Sequence, residues 1–420
     1  MADWRSAPIL VLVSTFKFLK NEDRLNAALT CHHWLNAFES PTLWEEMSFV
    51  MDGDLVDDSK RALQFVRKHS TSVKRLKLHF RRCRSQKIVE ALENIQCLFE
   101  NLACYGRLES FEVENFSFHR HRESSNRMMA AFKSFLASQR QFSKVRFFKT
   151  CFDEQRGLDI LERIVYQNKD IRFLGLWYFF EQGVDVYRHV EYERLLGLAN
   201  LEVVELDYCC TSETVLDILG AKKRLRVLSI LCDQNEGFHH TIPEKSWREF
   251  KRPHIDIKYE IVEVVTLQQF MDVMPQSTCA SEFTYKCGLS LRSDNNLRTH
   301  GISILQYITH AFQDYFREIS LDFGFVNISL LEDSILNLIM TCAHLEVINL
   351  CGVLSPTLAR RICEGSLSNT PKSLKQVDLM FYFCNFETVD EMNRMQEYKQ
   401  RLKAMGVAFH FNLLTFQSVD

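Results

Sequence analysis

One six-residue pattern of apolar and variable positions recurs along most of the chain. It reads apolar, two variable, apolar, variable, apolar, and within two groups its copies start between 24 and 35 residues apart. Alternate residues of a β-strand point to opposite faces of a sheet, so the pattern predicts strands with one buried face and one open face. The nine copies are VKRLKL (73–78), LESFEV (108–113), FSKVRF (142–147), IRFLGL (171–176), LEVVEL (201–206), LRVLSI (225–230), FREISL (316–321), LEVINL (345–350) and LKQVDL (374–379).

Segments between these strands have the three-to-four-residue period of helices, at 125–138, 157–167, 212–219, 330–342 and 355–364. Each strand and helix unit would expose apolar surface unless neighbouring units stacked on it. We therefore predict an α/β repeat array over 71–420, with parallel strands on the concave face and helices behind. The stretch LEVVELDYC resembles the leucine-rich repeat, since Cys209 stands where asparagine or cysteine closes the turn.

The repeat pattern is degenerate between residues 233 and 303. Two short alternating runs, 255–259 and 283–285, predict two further strands. The segment at about 233–254, which contains Trp247, reads as an insertion into the array.

The first fifty residues instead carry the period of helices. Apolar residues at spacings of four and three from Pro8 to Leu19 predict a first helix opened by proline. Asn21 is the expected N-cap of a second helix, whose apolar stripe continues to Phe38. Ser40 and the proline after it signal another start. Three or four short helices cannot bury all their apolar faces alone, which predicts a partner.

The order and spacing of ten residues in this segment resemble the F-box motif. The usual motif reads L-P-x-x-x-L-x-x-I-F-x-x-L, then D-L-x-x-x-x-x-V-C-x-x-W and a late L-W, and the match needs no gap. The sequence departs from the motif at Ala7, Ile9, Leu10, Thr15 and Arg24. The matching residues are Pro8, Leu12, Phe16, Leu19, Asp23, Leu29, Cys31, Trp34, Leu43 and Trp44.

The resemblance places an F-box at 4–48, followed by a connecting helix at 49–70. It implies binding to the Skp adaptor and, through it, to a cullin scaffold and a RING subunit. The chain would then be a non-catalytic substrate receptor of a Skp-cullin-F-box ubiquitin ligase, most similar to the F-box only proteins 33 and 39. The residues assigned to the adaptor interface are Pro8, Leu12, Phe16, Leu25, Cys31, Trp34 and Trp44.

The alternation of the predicted strands also maps the open face where a protein substrate would bind. This face runs from basic residues on the first strands to largely acidic ones later, with Trp177 near its middle. A tryptophan between charged groups is typical of a protein-binding hot spot. The assigned residues are Lys77, Glu112, Arg146, Trp177, Glu205, Asp207, Asn349 and Asp378.

The composition of the chain argues against several classes of function. A net charge of −3 argues against general binding to nucleic acid or anionic membrane, and the apolar run at 9–13 is too short to span a bilayer. The 14 cysteines include no C-x-x-C, which favours reduced thiols and a cytoplasmic or nuclear protein. A basic run at 74–87 leaves nucleic acid as an alternative class, with steep salt dependence as its expected signature.

The sequence lacks the phosphate-loop, dinucleotide, zinc-protease and nucleophile-elbow motifs, so we expect no enzyme and no cofactor. Cys31, His32 and His33 do not predict a metal site, because adjacent helical residues point about 100° apart. An alternative to the ligase role is a scaffold that joins proteins through the same surfaces without ubiquitin transfer.

Overall fold

The computed structural model forms two compact units, one within residues 1–181 and 197–201 and the other within 182–196 and 202–420. The residues it describes are 7–52, 54–81, 88–116, 122–184, 186–198, 200–233, 240–250, 252, 254–263, 266–287, 300–368, 371–382 and 389–414.

The first unit begins with short helices, as predicted. They are α1 (Ile9–Phe16), α2 (Asn21–Ala28), α3 (His32–Phe38) and a 3-10 helix (Pro41–Trp44). The apolar stripe read as one helix up to Phe38 is in fact broken, because α2 ends at Ala28 and Cys31 has extended backbone. Lys20, rather than Asn21, holds the N-cap position of α2.

Five parallel strands in chain order form the sheet of the first unit, and helices connect them. The sheet starts at residue 46, within the segment predicted to precede the array, and Asp54 caps the following helix by accepting from the Val56 amide. The elements are β1 (Glu46–Met51), α4 (Leu55–His69), β2 (Arg75–Phe80), α5 (Ile88–Tyr105), β3 (Ser110–Glu114), α6 (Arg122–Ser138), β4 (Lys144–Phe148), α7 (Glu154–Gln167) and β5 (Phe173–Trp177).

The second unit repeats the arrangement with eight parallel strands, again neighbours in chain order. Most of α8 (Val190–Leu198) belongs to this unit. The other elements are β6 (Val203–Asp207), α9 (Glu213–Gly220), β7 (Val227–Asp233), α10 (Glu244–Phe250), β8 (Asp256–Val262), α11 (Leu267–Val273), β9 (Glu282–Lys286), α12 (Ile302–Phe312), β10 (Glu318–Asn327), α13 (Glu332–Thr341), β11 (Val347–Val353), α14 (Pro356–Leu367), β12 (Gln376–Tyr382), α15 (Val389–Ala404) and β13 (Ala408–Leu414). The α/β class with parallel strands and intervening helices is confirmed.

All nine strand patterns form strands, and the two short runs form β8 and β9. The predicted insertion differs from the structure over its described part. Residues 244–250 form α10, whose Trp247 is fully buried with its ring centroid 6.0 Å from that of Tyr259 on β8. This segment is therefore the ordinary helix between two strands, and residues 234–239 lie outside the described part.

Phenylalanine fills the interior between the sheet and helices of the first unit. Phe111 on β3 contacts Phe135 on α6 at 5.2 Å between ring centroids, and Phe99 on α5 contacts Phe132 at 4.9 Å. All four side chains are fully buried. The helices therefore cover one side of this sheet, and the alternate strand residues are left on the open face.

Position 157 in α7 requires glycine, because the side chain of Phe180 packs against its backbone. A Cβ added there would lie 2.2 Å from Cε1 of Phe180 and 3.2 Å from Cε1 of Phe179. We expect Gly157→Ala to lower the free energy of unfolding by about 1–3 kcal/mol, although alanine is the better helix former. Denaturant unfolding measures this change. Gly220→Ala in α9 is the control, since its Cβ would meet Phe250 only at 3.3 Å, and equal effects at the two sites would contradict the expectation.

Candidate functional site

The N-terminal helices expose an unusual amount of apolar side chain. Seven large apolar residues are well exposed, the most accessible being Phe18, Leu10 and Leu29. Water-exposed apolar groups at this density are typical of surfaces that bind another protein. The seven residues are Ile9, Leu10, Val11, Phe18, Leu25, Leu29 and Leu35.

The residues assigned to an adaptor interface divide into two groups. Pro8 and Leu25 are exposed, and Cys31 and Trp34 are half-buried. Leu12, Phe16 and Trp44 are buried inside the first unit, so in this structure they hold the helices together and present no open surface.

Trp44 joins the helical segment to the first strand-helix repeat. Its ring lies 4.9 Å from Phe38 of α3 and 5.2 Å from Phe65 of α4, measured between centroids. Its indole Nε1 donates to the carbonyl oxygen of Phe38 at 2.8 Å. The late L-W of the motif is thus the point where the N-terminal helices are fixed to α4.

Arg24, the most polar departure from the motif, has a structural role. Its Nε donates to the carbonyl oxygen of Phe16 at 2.9 Å, and its Nη2 donates to that of Lys17 at 3.2 Å. Its guanidinium also lies 5.8 Å from the centroid of the Trp44 ring. A cation at the last carbonyls of α1 offsets the negative end of that helix, so arginine here stabilises the segment. Partial burial lowers the pKa of Arg24.

The histidines beside Cys31 do different things. His32 is exposed, whereas His33 is half-buried and its Nε2 lies 2.6 Å from the carbonyl oxygen of Ala7. That bond ties the start of α1 to α3, which explains His33 without a metal ion.

On the open face of the first unit, the structure brings together three of the predicted substrate-binding residues. Lys77, Glu112 and Arg146 line a groove of about 270 Å³ that crosses β1 to β4. Glu112 pairs with Lys144 at 2.8 Å and with Lys77 at 3.6 Å. On this face, basic and acidic side chains therefore form ion pairs with each other, whereas the sequence predicted mainly basic residues on the first strands.

An aromatic and cationic cluster continues this face at β4 and β5. The Arg146 guanidinium lies 5.7 Å from the ring centroid of Phe148 and 5.8 Å from that of Trp177. Lys149 lies 5.7 Å from the ring of Tyr178. Among the described residues, the buried Nε1 of Trp177 finds no hydrogen-bond partner. This half-buried cluster has the composition of a binding hot spot.

In the second unit, Asn349 and Asp378 face each other across β11 and β12. Asn349 donates to Ser320 Oγ at 2.9 Å, and Asp378 accepts through Oδ2 from Gln376 Nε2 at 2.7 Å. Glu205 on β6 is half-buried. All three residues lie on strands as predicted, and Asn349 and Asp378 are hydrogen-bonded to polar side chains of the sheet.

Asp207 was predicted to lie on the open strand face, and the structure shows that this prediction is wrong. Asp207 is 1% exposed, whereas the alternation placed it beside Glu205 on the accessible side. The strand ends at Asp207 and a 3-10 turn follows, so the period of two no longer decides which way the side chain points.

The strands of the second unit also carry charged residues that the degenerate repeat pattern did not predict. Lys258 on β8 pairs with Glu282 on β9 at 2.6 Å, and Lys286 pairs with Glu260 at 2.6 Å. Burial, and next the charge of Glu282, raise the pKa of Glu318. The expected acidic character of the later strands is thus offset by two lysines. The alternating run around 255–259 was the signal that could have located them.

The described part of the basic run is paired with acidic groups. Arg75 contacts Glu46 at 3.2 Å and Arg81 contacts Asp52 at 3.0 Å. Residues 82–87 lie outside the described part of the chain. Such pairing leaves less unneutralised charge for a phosphate backbone.

Within the described residues, no helix has both the length and the apolar character that a membrane crossing requires.

Comparison with known proteins identifies the N-terminal segment. Residues 8–46 match the family model of the F-box domain. A leucine-rich repeat-containing protein, LegL7 of Legionella pneumophila, is similar in structure at a TM-score of 0.32 and 10% identity, over 74% of this chain and 87% of that one. A protein of Bacteroides fragilis is similar at a TM-score of 0.29 and 10% identity, over 73% of this chain. The chain spans 65% of the length of the Bacteroides protein.

Proposed function

We propose that the chain, with an F-box domain at its N-terminus, is the substrate-recognition subunit of a Skp-cullin-F-box ubiquitin ligase. The match over residues 8–46 carries this proposal, because an F-box domain implies binding to the Skp adaptor. A cullin scaffold and a RING subunit would join through that adaptor. Among F-box proteins, we place the chain with the F-box only proteins 33 and 39, and we expect it in the cytoplasm or nucleus.

The adaptor interface we propose is the accessible part of the N-terminal helices. Pro8, Leu25, Cys31 and Trp34 would contact the adaptor, and the exposed Leu29 would extend this surface. Leu12, Phe16 and Trp44 would support it from inside. Burial of such apolar side chains would supply most of the binding free energy.

The target would bind the open strand face. In the first unit the proposed contacts are Lys77, Glu112, Arg146 and Trp177, because the groove and the aromatic cluster lie there together. In the second unit they are Glu205, Asn349 and Asp378. Paired charges around an aromatic centre favour an ordered segment of complementary charge over a purely apolar ligand.

The proposed mechanism is positional and uses no catalytic residue of this chain. The F-box fixes the chain to the ligase, and the strand face holds the target near the ubiquitin carrier. The effective concentration of the target's lysines at that carrier rises as a result.

Substitutions on the open face test the target surface separately from the adaptor surface. We expect Arg146→Glu and Trp177→Ala each to reduce the amount of captured target about tenfold or more, while the Skp adaptor still co-purifies. The measurement is affinity capture of the chain from cells, followed by quantitative mass spectrometry.

Arg61→Ala is the control for this capture, since Arg61 is an exposed arginine on α4. An unchanged set of captured proteins in both open-face variants would refute the assignment of the target surface. Recovery of adaptor and target without cullin would instead indicate a scaffold that does not transfer ubiquitin.

A further inference from the structure

Two neighbouring thiols and a carboxylate meet where β6 ends. Asp207 is the last residue of β6, and Cys209 and Cys210 belong to the 3-10 turn Tyr208–Cys210. The two Sγ atoms are 3.8 Å apart, and one ligand atom from each of the three residues lies within 4.8 Å of the others. Both cysteines carry thiols.

The turn that carries this cluster is held from several sides. The Tyr208 hydroxyl accepts from the Ile242 amide at 3.1 Å, and the Tyr208 ring stacks on His240 at 5.3 Å between centroids. Thr211 donates through Oγ1 to the carbonyl oxygen of Asp207 at 3.0 Å. A turn fixed in this way holds its side chains close to one geometry before any ligand arrives.

Burial separates the cluster from ordinary surface acidic groups. Asp207 and Cys210 are almost fully buried, whereas Cys209 is half-buried and gives access from solvent. At a buried site the attraction between a cation and the Asp207 carboxylate is screened less than in water, and coordination by the two sulfurs would offset the cost of desolvating the ion.

The separation of the two sulfur atoms is the one that tetrahedral zinc requires. Tetrahedral zinc holds thiolate sulfur at about 2.3 Å, which puts two sulfur ligands about 3.8 Å apart and a carboxylate oxygen about 3.5 Å from each. The observed sulfur separation equals the first value, and a rotation of the Asp207 side chain would close the remaining gap. Calcium and magnesium prefer oxygen ligands throughout, so two thiols disfavour them.

We propose that Asp207, Cys209 and Cys210 form a binding site for zinc or a similarly thiophilic divalent cation. Binding releases the thiol protons and leaves a fourth position for water or another ligand. The ion would cross-link the last residue of β6 to the turn that leads into α9. This site is independent of the proposed ligase function, and it departs from the expectation that the chain holds no metal.

Zinc affinity of the whole chain tests the site. Under reducing conditions, competition against a chromophoric zinc chelator should show one tight site per chain. We expect Cys209→Ser and Cys210→Ser each to weaken that site by more than about tenfold. The matched controls are Cys279→Ser, which is half-buried in the same unit, and the exposed Cys104→Ser; both should bind zinc as the wild type does.

Cobalt provides a second readout, which the wild-type chain alone can already give. Two thiolates bound to cobalt(II) give a sulfur-to-metal charge-transfer band, and each single Cys→Ser change should leave about half of it. A wild-type chain that gives no such band and does not compete with the chelator would overturn the proposal. Equal loss of zinc in the Cys279→Ser control would overturn it as well.

Discussion

Replacing Leu25 and Leu29 together by lysine is expected to weaken binding to the Skp adaptor by at least about 100-fold. The two side chains are 53% and 76% exposed, so the free chain loses little packing when they change. In the proposed complex, however, two lysines would replace two apolar side chains at the interface, and removing their charges from water costs free energy. Isothermal titration of the purified chain with the adaptor measures the loss.

Met405→Lys is the control for this variant. Met405 is also a well-exposed apolar residue that directly follows a helix, but it lies after α15, far along the sequence from the F-box. Lysine is favourable near a helix C-terminus, so neither Leu29→Lys nor the control should disturb folding. If the double variant binds the adaptor as tightly as the control does, α2 is not part of the interface.

Trp44→Ala is expected to lower the free energy of unfolding of the chain by about 3–5 kcal/mol. The indole is 4% exposed and contacts aromatic rings from both α3 and α4, so its removal leaves a cavity between the F-box and the first repeat. Denaturant unfolding followed by circular dichroism measures the change.

Trp44→Phe separates the cavity from the hydrogen bond. Phenylalanine keeps most of the ring volume but loses the donor to the Phe38 carbonyl, and we expect a cost of about 1 kcal/mol beyond the smaller packing loss. Near-neutral behaviour of Trp44→Ala would show that Trp44 acts mainly at an interface and does not hold the unit together. Adaptor binding by the folded fraction should survive both changes.

The strand pattern predicted most of the sheet because alternation is a local property of each strand. It could also have located β1, since WEEMSF at 44–49 is a further copy of the pattern, 29 residues before the copy at 73 (73 − 44 = 29). Trp44 had already been assigned to the F-box motif, so it was not also read as the first residue of a strand pattern. In the structure the residue belongs to both.

The middle of the array was harder to interpret for a physical reason. Two residues before β8, His254 stands where the leading apolar residue of the pattern is expected, although the alternation continues through Ile257 and Tyr259 in the strand. Trp247 of α10 packs against Tyr259 of β8, a contact between elements that no local pattern shows. The sequence alone therefore predicted an insertion in the segment where the structure has α10.

The candidate site was predictable only in part. A helical period shows which residues are apolar and share a face, but it does not show whether that face is covered by the same chain. Leu12 and Phe16 are covered and Leu25 is open. Likewise, alternation placed Lys77 and Arg146 on one strand face, where the structure shows them lining a groove, but it failed at Asp207, where the strand ends.

Assembly with purified partners tests most directly whether the chain is a subunit of a Skp-cullin-F-box ligase. The chain, the Skp adaptor and the N-terminal part of a cullin scaffold would be mixed and their complex weighed by size-exclusion chromatography with light scattering. We expect one species with the mass of a 1:1:1 complex, and no incorporation of the Leu25→Lys, Leu29→Lys variant. A folded wild-type chain that elutes apart from an intact adaptor-cullin complex would contradict this expectation.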